Sequence, residues 1–248
     1  MSIEDIYSRF LEFPTISTDS RNVLPESLFF ALKGPNFNGN RYAQEALDKG
    51  AAYAVVDEAE YDVNDRTLLV PDVLKSLQDL ATHHRRQNKA TLIALTGSNG
   101  KTTTKELISR VLERTYNTQA TVGNLNNHIG VALTLLQIRE DTEMMVVEMG
   151  ANHQREIAFL CALAEPDFGY ITNYGKAHLE GFGGIEGVIR GKSEMYDYLM
   201  AEGKTIFLNA DDPIQKEKLE SYTNKVGFSS SEAGYFQIED LGADPFVT

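Results

Sequence analysis

The stretch Thr96-Gly97-Ser98-Asn99-Gly100-Lys101-Thr102-Thr103-Thr104 carries the residue types that hold phosphate. It follows the apolar run Thr91-Leu92-Ile93-Ala94-Leu95 and precedes Lys105 to Leu112, where apolar residues at 107, 108, 111 and 112 have helical spacing. A strand, a glycine turn and a helix opening at Gly-Lys-Thr aim backbone N–H groups and a helix N-terminus at an anion. The lysine adds a point charge, and the first threonine hydroxyl can reach Mg²⁺. The spacing departs from G-x-x-x-x-G-K-[ST], because Leu95 stands where the first glycine belongs. The strand before and the helix after imply nucleoside triphosphate binding through Gly97, Ser98, Asn99, Gly100, Lys101, Thr102 and Thr103.

One further residue stands where such a loop would use it, and two more invite a reading of their own. Glu148 ends the run Met144-Met145-Val146-Val147 and precedes Met149-Gly150-Ala151-Asn152, so a carboxylate at a strand end beside the loop could hold the nucleotide's Mg²⁺ directly or through water. His178, in Thr172-Asn173-Tyr174-Gly175-Lys176-Ala177-His178, also lies just past a strand end; alone it reads as a polar residue or a metal ligand. Lys192, in Arg190-Gly191-Lys192-Ser193-Glu194, reads by itself as a solvated helix lysine. No histidine and cysteine cluster has zinc spacing, and no serine sits in a hydrolase elbow. The single cysteine, Cys161, lies in an apolar helical pattern and reads as a buried structural thiol; one cysteine also excludes an internal disulfide and fits a reducing compartment.

These residues need a scaffold, and 248 residues suffice for one large or two modest domains. A formal net charge of -13 argues against nonspecific nucleic-acid binding and against an anionic membrane surface, so phosphate must be bound locally. No apolar run has membrane-spanning length and Met1 to Asp5 lacks signal-peptide character, so the chain is expected to be cytoplasmic, without membrane insertion. Up to about residue 83 the elements are short: strands over 28–32, 52–56 and 68–70, a helix over 42–49, and a helix opened by Pro71. The paired residues His83-His84-Arg85-Arg86 read as that helix's solvated C-terminal end. The junction falls within 83–90. From Thr91 the pattern alternates: a helix near 129–138, a strand over 144–148, a helix over 155–163, a strand over 168–172, a helix through 193–200 and a strand over 205–208. β-rich runs separated by helices predict a mostly parallel sheet with helices on both faces, an α/β fold whose site gathers at the strands' carboxyl ends.

Taken together these segments resemble the Mur ligase superfamily, the ATP-dependent amide-forming enzymes of peptidoglycan synthesis. The resembling residues are Ser17 to Arg21, Leu28 to Gly34, Thr96 to Glu106, Gly123 to Gly130, Glu148 to Asn152, Thr172 to Gly181, Gly191 to Glu194 and Asn209 to Pro213. They are most similar to the branch that adds D-alanyl-D-alanine to UDP-N-acetylmuramoyl-tripeptide; the Gly-Ala-Asn after the strand-end glutamate separates them from the tripeptide-forming branch. The resemblance implies a UDP-substrate domain over 1–83 and an ATP-binding P-loop domain over 84–248. It implies that Lys101 and the loop amides hold ATP, that Thr102, Glu148 and His178 serve Mg²⁺, and that Lys192 acts as a carbamate. Asn127 would lie near the acceptor substrate and the γ-phosphate. Ser20, Arg21, Asn38 and Asn40 would contribute to the UDP-sugar pocket, although relatives often carry histidine where Asn40 stands.

The implied chemistry has the tripeptide's terminal carboxylate attack the γ-phosphate, and the D-alanyl-D-alanine amine then displace phosphate from the acyl phosphate. An adenine motif and a C-terminal Rossmann-like domain, both expected in relatives, are not found in this sequence. The chain therefore reads as a fragment, incomplete at the end of its P-loop domain, that binds ligand without turning over alone. The competing readings are another Mur or folylpolyglutamate-type ligase, a non-catalytic nucleotide or UDP-sugar binding module, and a phosphate-loop kinase. The kinase would leave Asn124 to Gly130 and Asn173 to Glu180 without a role.

Overall fold

The computed structural model describes residues 1–238. In chain order the elements begin with α1 (Ile3–Glu12), β1 (Ile16–Ser17), β2 (Leu28–Phe30), β3 (Lys33–Gly34), β4 (Phe37–Asn38), α2 (Ala43–Asp48), β5 (Tyr53–Val56), β6 (Thr67–Leu69) and α3 (Val73–Gln87). They continue with β7 (Thr91–Thr96), α4 (Lys101–Leu112), β8 (Thr118–Ala120), α5 (Gly130–Leu135), β9 (Met144–Glu148), α6 (Glu156–Ala164) and β10 (Phe168–Ile171). The last are α7 (Leu179–Phe182), α8 (Ile185–Ala201), β11 (Thr205–Asn209), α9 (Pro213–Lys218), β12 (Lys225–Ser229) and β13 (Phe236–Gln237). No helix among the described residues is long and apolar enough to cross a membrane.

Two compact units result. The first joins Met1–Ala90 with Thr121–Glu143 and Leu163–Glu165; the second joins Thr91–Ala120, Met144–Ala162 and the residues from Pro166 on. A single cut at residue 83 therefore does not describe the division. It would fall inside α3, which continues to Gln87, and the segment carrying α5 goes with the first unit.

The first unit is built on a four-stranded parallel sheet of order β1-β2-β5-β6. Its strands are short and apolar, with Leu28, Phe29 and Phe30 buried beside Ala54, Val55 and Val56. α1 starts on a capping box: the Ser2 hydroxyl accepts the Asp5 N–H at 3.2 Å and the Asp5 carboxylate accepts the Ser2 N–H at 3.1 Å, and the helix then buries Ile6 and Phe10. Asp72, not Pro71, caps α3, accepting the Lys75 N–H at 2.8 Å. The C-terminal end of α3 also corrects the sequence reading. His84 and Arg85 are buried. The Arg85 guanidinium donates to the carbonyls of Ala164 (3.2 Å), Ala90 (3.0 Å) and Glu165 (3.2 Å), a use of its planar fork that an alternation of charge in sequence does not reveal. His84 Nε2 donates to the Ile138 carbonyl at 2.8 Å, and the Tyr7 hydroxyl lies 3.3 Å from Nδ1. Burial holds the His84 imidazole below its ordinary pKa, with the Ile138 contact opposing and the His83 charge adding to the shift.

The second unit is a seven-stranded sheet of order β13-β12-β11-β10-β7-β9-β8 in which every neighbouring pair is parallel. This is the α/β class the alternating pattern implies. β7 lies in the interior of the sheet, with Leu92, Ala94 and Leu95 buried beside Met145, Val146 and Val147 of β9. The register sets Leu95 opposite Glu148 on one side and Thr96 opposite Ile171 on the other, so three strand ends arrive together at one edge. α4 departs from the expected burial. Its fully buried side chains are Lys105 and Ser109, whereas Leu107 and Val111 are 64% and 72% exposed. Its apolar stripe lines an open groove of about 520 Å³ with Ile93, Tyr170, Phe207 and Phe228.

Candidate active site

The phosphate loop turns on two glycines. Gly97 has φ +143°, and a Cβ there would meet the Thr172 hydroxyl oxygen at 2.0 Å; Gly100 has φ +76° and serves as the N-cap of α4. Both conformations favour glycine, and the first also needs the absence of a side chain. By helix geometry the N–H groups of Lys101, Thr102 and Thr103 have no intrahelical acceptor. Thr104 is the first to find one, at the Gly100 carbonyl, 2.9 Å away. Three adjacent N–H groups at the positive end of a 12-residue helix form an anion seat.

A strap that the sequence reading placed only at a strand end, without a role, holds the loop in this shape. The Ser98 and Asn99 N–H groups donate to the Asn173 main-chain carbonyl and side-chain oxygen, each at 3.1 Å. Asn173 Nδ2 and the Thr172 hydroxyl both donate to the Asn99 carbonyl, at 3.0 and 2.7 Å, and the Ser98 hydroxyl donates to the Gly175 carbonyl at 2.9 Å. Ser98 and Asn99 thus shape the loop, while the anion seat falls to the residues from Gly100 onward. Lys101 Nζ folds across the loop to the carbonyls of Gly97 (3.0 Å) and Ser98 (3.5 Å).

Thr102 and Glu148 come together. The Thr102 hydroxyl donates to Glu148 Oε2 at 2.9 Å, and the Glu148 side chain is buried at the end of β9. The Thr96 hydroxyl fixes the following residue by donating to the Met149 carbonyl at 2.7 Å. A buried carboxylate and a hydroxyl are hard oxygen donors. Such a partial set suits Mg²⁺, which takes one or two protein oxygens and completes its shell with water and phosphate. Among the described residues no group of three or more histidine, cysteine, aspartate or glutamate side chains converges as a metal cage. His178 is exposed and in the left-handed region (φ +53°) as the N-cap of α7.

Lys192 is not the solvated lysine that its local sequence suggests. It is 2% exposed, its Nζ donates to the Ala151 carbonyl at 3.2 Å, and it lies 5.2 Å from the centre of the Phe182 ring. Burial, followed by the positive charge of Lys101, pulls its pKa down to about 8, against the opposing pull of Glu156 and Glu194. Its amine is therefore readily available in the neutral form. The two glutamates shape the segment after Glu148. Glu194 accepts the N–H groups of Arg155 (2.5 Å) and Ala158 (3.0 Å), capping the start of α6 from another helix, and Glu156 accepts those of Asn152 (2.6 Å) and His153 (3.0 Å). Cys161 is buried, packed 3.8 Å from the Met149 sulfur, and burial raises its thiol pKa, so it is the inert thiol expected.

The residues expected at the UDP-sugar pocket and acceptor site belong to the first unit. Arg21 is 88% exposed at its side chain and forks onto Asp19 (2.9 and 2.8 Å), holding that carboxyl down at about 2; Ser20 is buried. Asn38 donates to both oxygens of Glu58, at 3.1 and 3.0 Å. Asn40 requires a correction. It is 0% exposed, its Nδ2 donates to Asn38 Oδ1 (3.0 Å) and Asp57 Oδ1 (2.8 Å), and its oxygen accepts the Asp57 N–H at 2.9 Å. It shapes the turn and offers no free donor to a ligand. Asn127 is exposed, with its carboxamide oxygen capping α5 through the N–H groups of Ile129 (3.0 Å) and Gly130 (2.8 Å).

Known proteins resemble this chain in sequence and in fold. The Mur ligase middle domain matches residues 95–246, and the Mur ligase family catalytic domain matches residues 12–85. The UDP-N-acetylmuramoyl-tripeptide--D-alanyl-D-alanine ligase of Bacillus subtilis is 36% identical over 228 residues, covering 91% of this chain and 49% of that relative. The Escherichia coli ligase of the same name is 41% identical over 197 residues, covering 79% and 43%. Among solved structures, MurF from Thermotoga maritima in complex with ADP aligns with a TM-score of 0.79 at 32% identity, covering 90% of this chain and 52% of that one. MurF from Acinetobacter baumannii aligns with a TM-score of 0.78 at 35% identity, covering 88% and 48%. The chain spans about half the length of the relatives it matches.

Proposed function

The chain belongs to the Mur ligase family, and from that premise we propose that it binds ATP on the Gly97–Thr103 loop for ADP-forming amide synthesis in peptidoglycan precursor assembly. The observation that carries the reading is the Thr102–Glu148 hydrogen bond of 2.9 Å beside a helix N-terminus whose loop is pinned by Asn173. The N–H groups of Lys101, Thr102 and Thr103 orient the β- and γ-phosphates, and Lys101 moves from the loop carbonyls onto them. Thr102 and Glu148 are the residues that would hold Mg²⁺, which supplies charge neutralisation between the phosphate oxygens.

Lys192 takes a second role in the same site. A neutral amine beside Lys101 can add to CO₂, releasing a proton and becoming a carbamate anion. That conversion replaces a repulsive lysine pair with an attractive one. His178 is a further residue for the metal. In the complete ligase the acceptor is UDP-N-acetylmuramoyl-tripeptide, with Ser20, Arg21 and Asn38 as contacts for its UDP-sugar and Asn127 near it, and the donor is D-alanyl-D-alanine, the pair named for the relatives. The tripeptide's terminal carboxylate attacks the γ-phosphorus and ADP leaves, giving an acyl phosphate; the donor amine then attacks the acyl carbonyl, loses a proton, and phosphate leaves. The substrates and the loop chemistry suit the cytoplasm.

The test separates binding from turnover in residues 1–248. The UDP-linked tripeptide is titrated by calorimetry, and phosphate release is followed with ATP, Mg²⁺ and D-alanyl-D-alanine. Binding without amide formation is expected, because the donor amine must be held within attack distance. Absence of any UDP-tripeptide binding, with Mg·ATP still bound, would favour a nucleotide-binding module over a ligase fragment.

A further inference from the structure

Behind the phosphate loop lies a side chain that neither the motifs nor the comparisons assign. Gln215, on α9, is 0% exposed. Its Nε2 donates to the Ile171 carbonyl (2.9 Å) and to Asp212 Oδ2 (3.3 Å), while its Oε1 accepts from the Tyr196 hydroxyl (3.0 Å) and the Asn209 N–H (3.2 Å). A carboxamide has two N–H donors and an oxygen with two lone pairs, so all four valences are engaged. The partners come from four places: the end of β10, the end of β11, α8, and the cap of α9 itself. Glutamate could keep the two acceptor contacts but not the donation to Ile171, and leucine could keep none.

The position of these partners gives the contact its meaning. Ile171 is the last residue of β10, and the next two, Thr172 and Asn173, are the strap that holds Ser98 and Asn99. Tyr196 lies four residues after Lys192, on the same face of α8. One amide therefore fixes both the strand end from which the strap departs and the helix that carries the buried lysine.

We propose that Gln215 is a positioning residue for the phosphate loop, setting nucleotide affinity through the β10 end although it does not itself touch the loop. The proposal rests on the nucleotide reading above, and its test is built so that the two can fail separately. Mg·ADP is titrated into the wild-type chain, Gln215→Met and Gln215→Glu, each below its unfolding temperature, and the backbone amide resonances of Ser98 and Asn99 are recorded without nucleotide. Gln215→Met should bind Mg·ADP at least tenfold more weakly, with the Ser98 and Asn99 resonances displaced. Gln215→Glu should be weak at pH 8 and recover towards wild type as the pH falls, because a protonated carboxyl regains a donor for Ile171. A role confined to stability would lower the unfolding temperature while leaving affinity and both resonances unchanged, and that result overturns the proposal. If the wild-type chain fails to bind Mg·ADP, the nucleotide reading falls and the effect on affinity with it; the resonances then decide the positioning of the loop alone, unmoved ones in Gln215→Met overturning it and displaced ones supporting it.

Discussion

The two units use polar residues in opposite ways. In the second, the residues with chemical potential sit at adjoining strand ends, and buried contacts aim them: Glu148 receives Thr102, Asn173 grips the loop, and Lys192 is enclosed. In the first, the candidate ligand contacts divide into a fully engaged asparagine, Asn40, and a solvent-exposed arginine, Arg21. A parallel sheet delivers several strand ends to one edge by register alone, so a site built there is formed by the fold. Turns and short strands supply no such lattice, and the candidate contacts they carry are not all aimed at one place. The residues proposed for nucleotide are thus preorganised to a degree that those proposed for the UDP-sugar are not.

The sharpest way to break this contrast is Lys101→Ala. Removing one charge-assisted phosphate contact should weaken Mg·ATP binding by about 1.5–3 kcal/mol, or roughly ten- to a hundredfold, with unchanged circular dichroism. Equal affinities would remove the loop from the site. Asn40→Ala probes the other side. Leaving the Asp57 N–H without its buried acceptor, and removing a donor from the Asp57 carboxylate, should lower folding stability by about 1–3 kcal/mol in denaturant unfolding. If stability is unchanged and UDP-tripeptide binding falls instead, Asn40 is a ligand contact after all.

Much of this was legible in the sequence, and the reasons are specific. Thr96 to Thr104 announced itself because a glycine turn between a β-run and a helical run has few other uses, and Glu148 because a charged residue ending an apolar strand is unusual. Four strands of the second unit, β7, β9, β10 and β11, read as unbroken apolar segments, whereas β8, β12 and β13 carry no such run and give no signal in the sequence. Asn173 was seen at its strand end, but its hydrogen bonds to a loop some 75 residues earlier depend on β10 pairing with β7, which no local pattern encodes. The burial of Lys192, His84 and Arg85 escapes a local reading for a common reason. Their burial is created by distant segments, and a local window shows only charge. α4 misled in the opposite sense, since helical periodicity reports an apolar stripe without saying whether anything covers it.

A pH experiment sharpens the comparison at Lys192. Its folded pKa of about 8 lies below the ordinary 10.5, so between those values the unfolded chain binds the additional proton. Stability of the second unit should therefore rise as pH increases from about 8 to 10.5, and Lys192→Met should flatten that rise. A slope that survives the substitution would place the titrating group elsewhere. The smallest effect is expected at Arg21→Ala. An exposed pair with Asp19 should change stability by no more than about 0.5 kcal/mol, so any larger loss of UDP-tripeptide affinity would report a direct ligand contact.

The central claim is that the buried Glu148 and the Thr102 hydroxyl form the protein's share of a Mg²⁺-nucleotide site. It is tested most directly by titrating ADP, with and without Mg²⁺, into the wild-type chain and Glu148→Gln, which keeps an acceptor for Thr102 but loses the charge. Mg²⁺ should strengthen ADP binding to the wild type, and most of that gain should vanish in Glu148→Gln while metal-free ADP binding is retained. The same Mg²⁺ gain in both proteins would contradict the account.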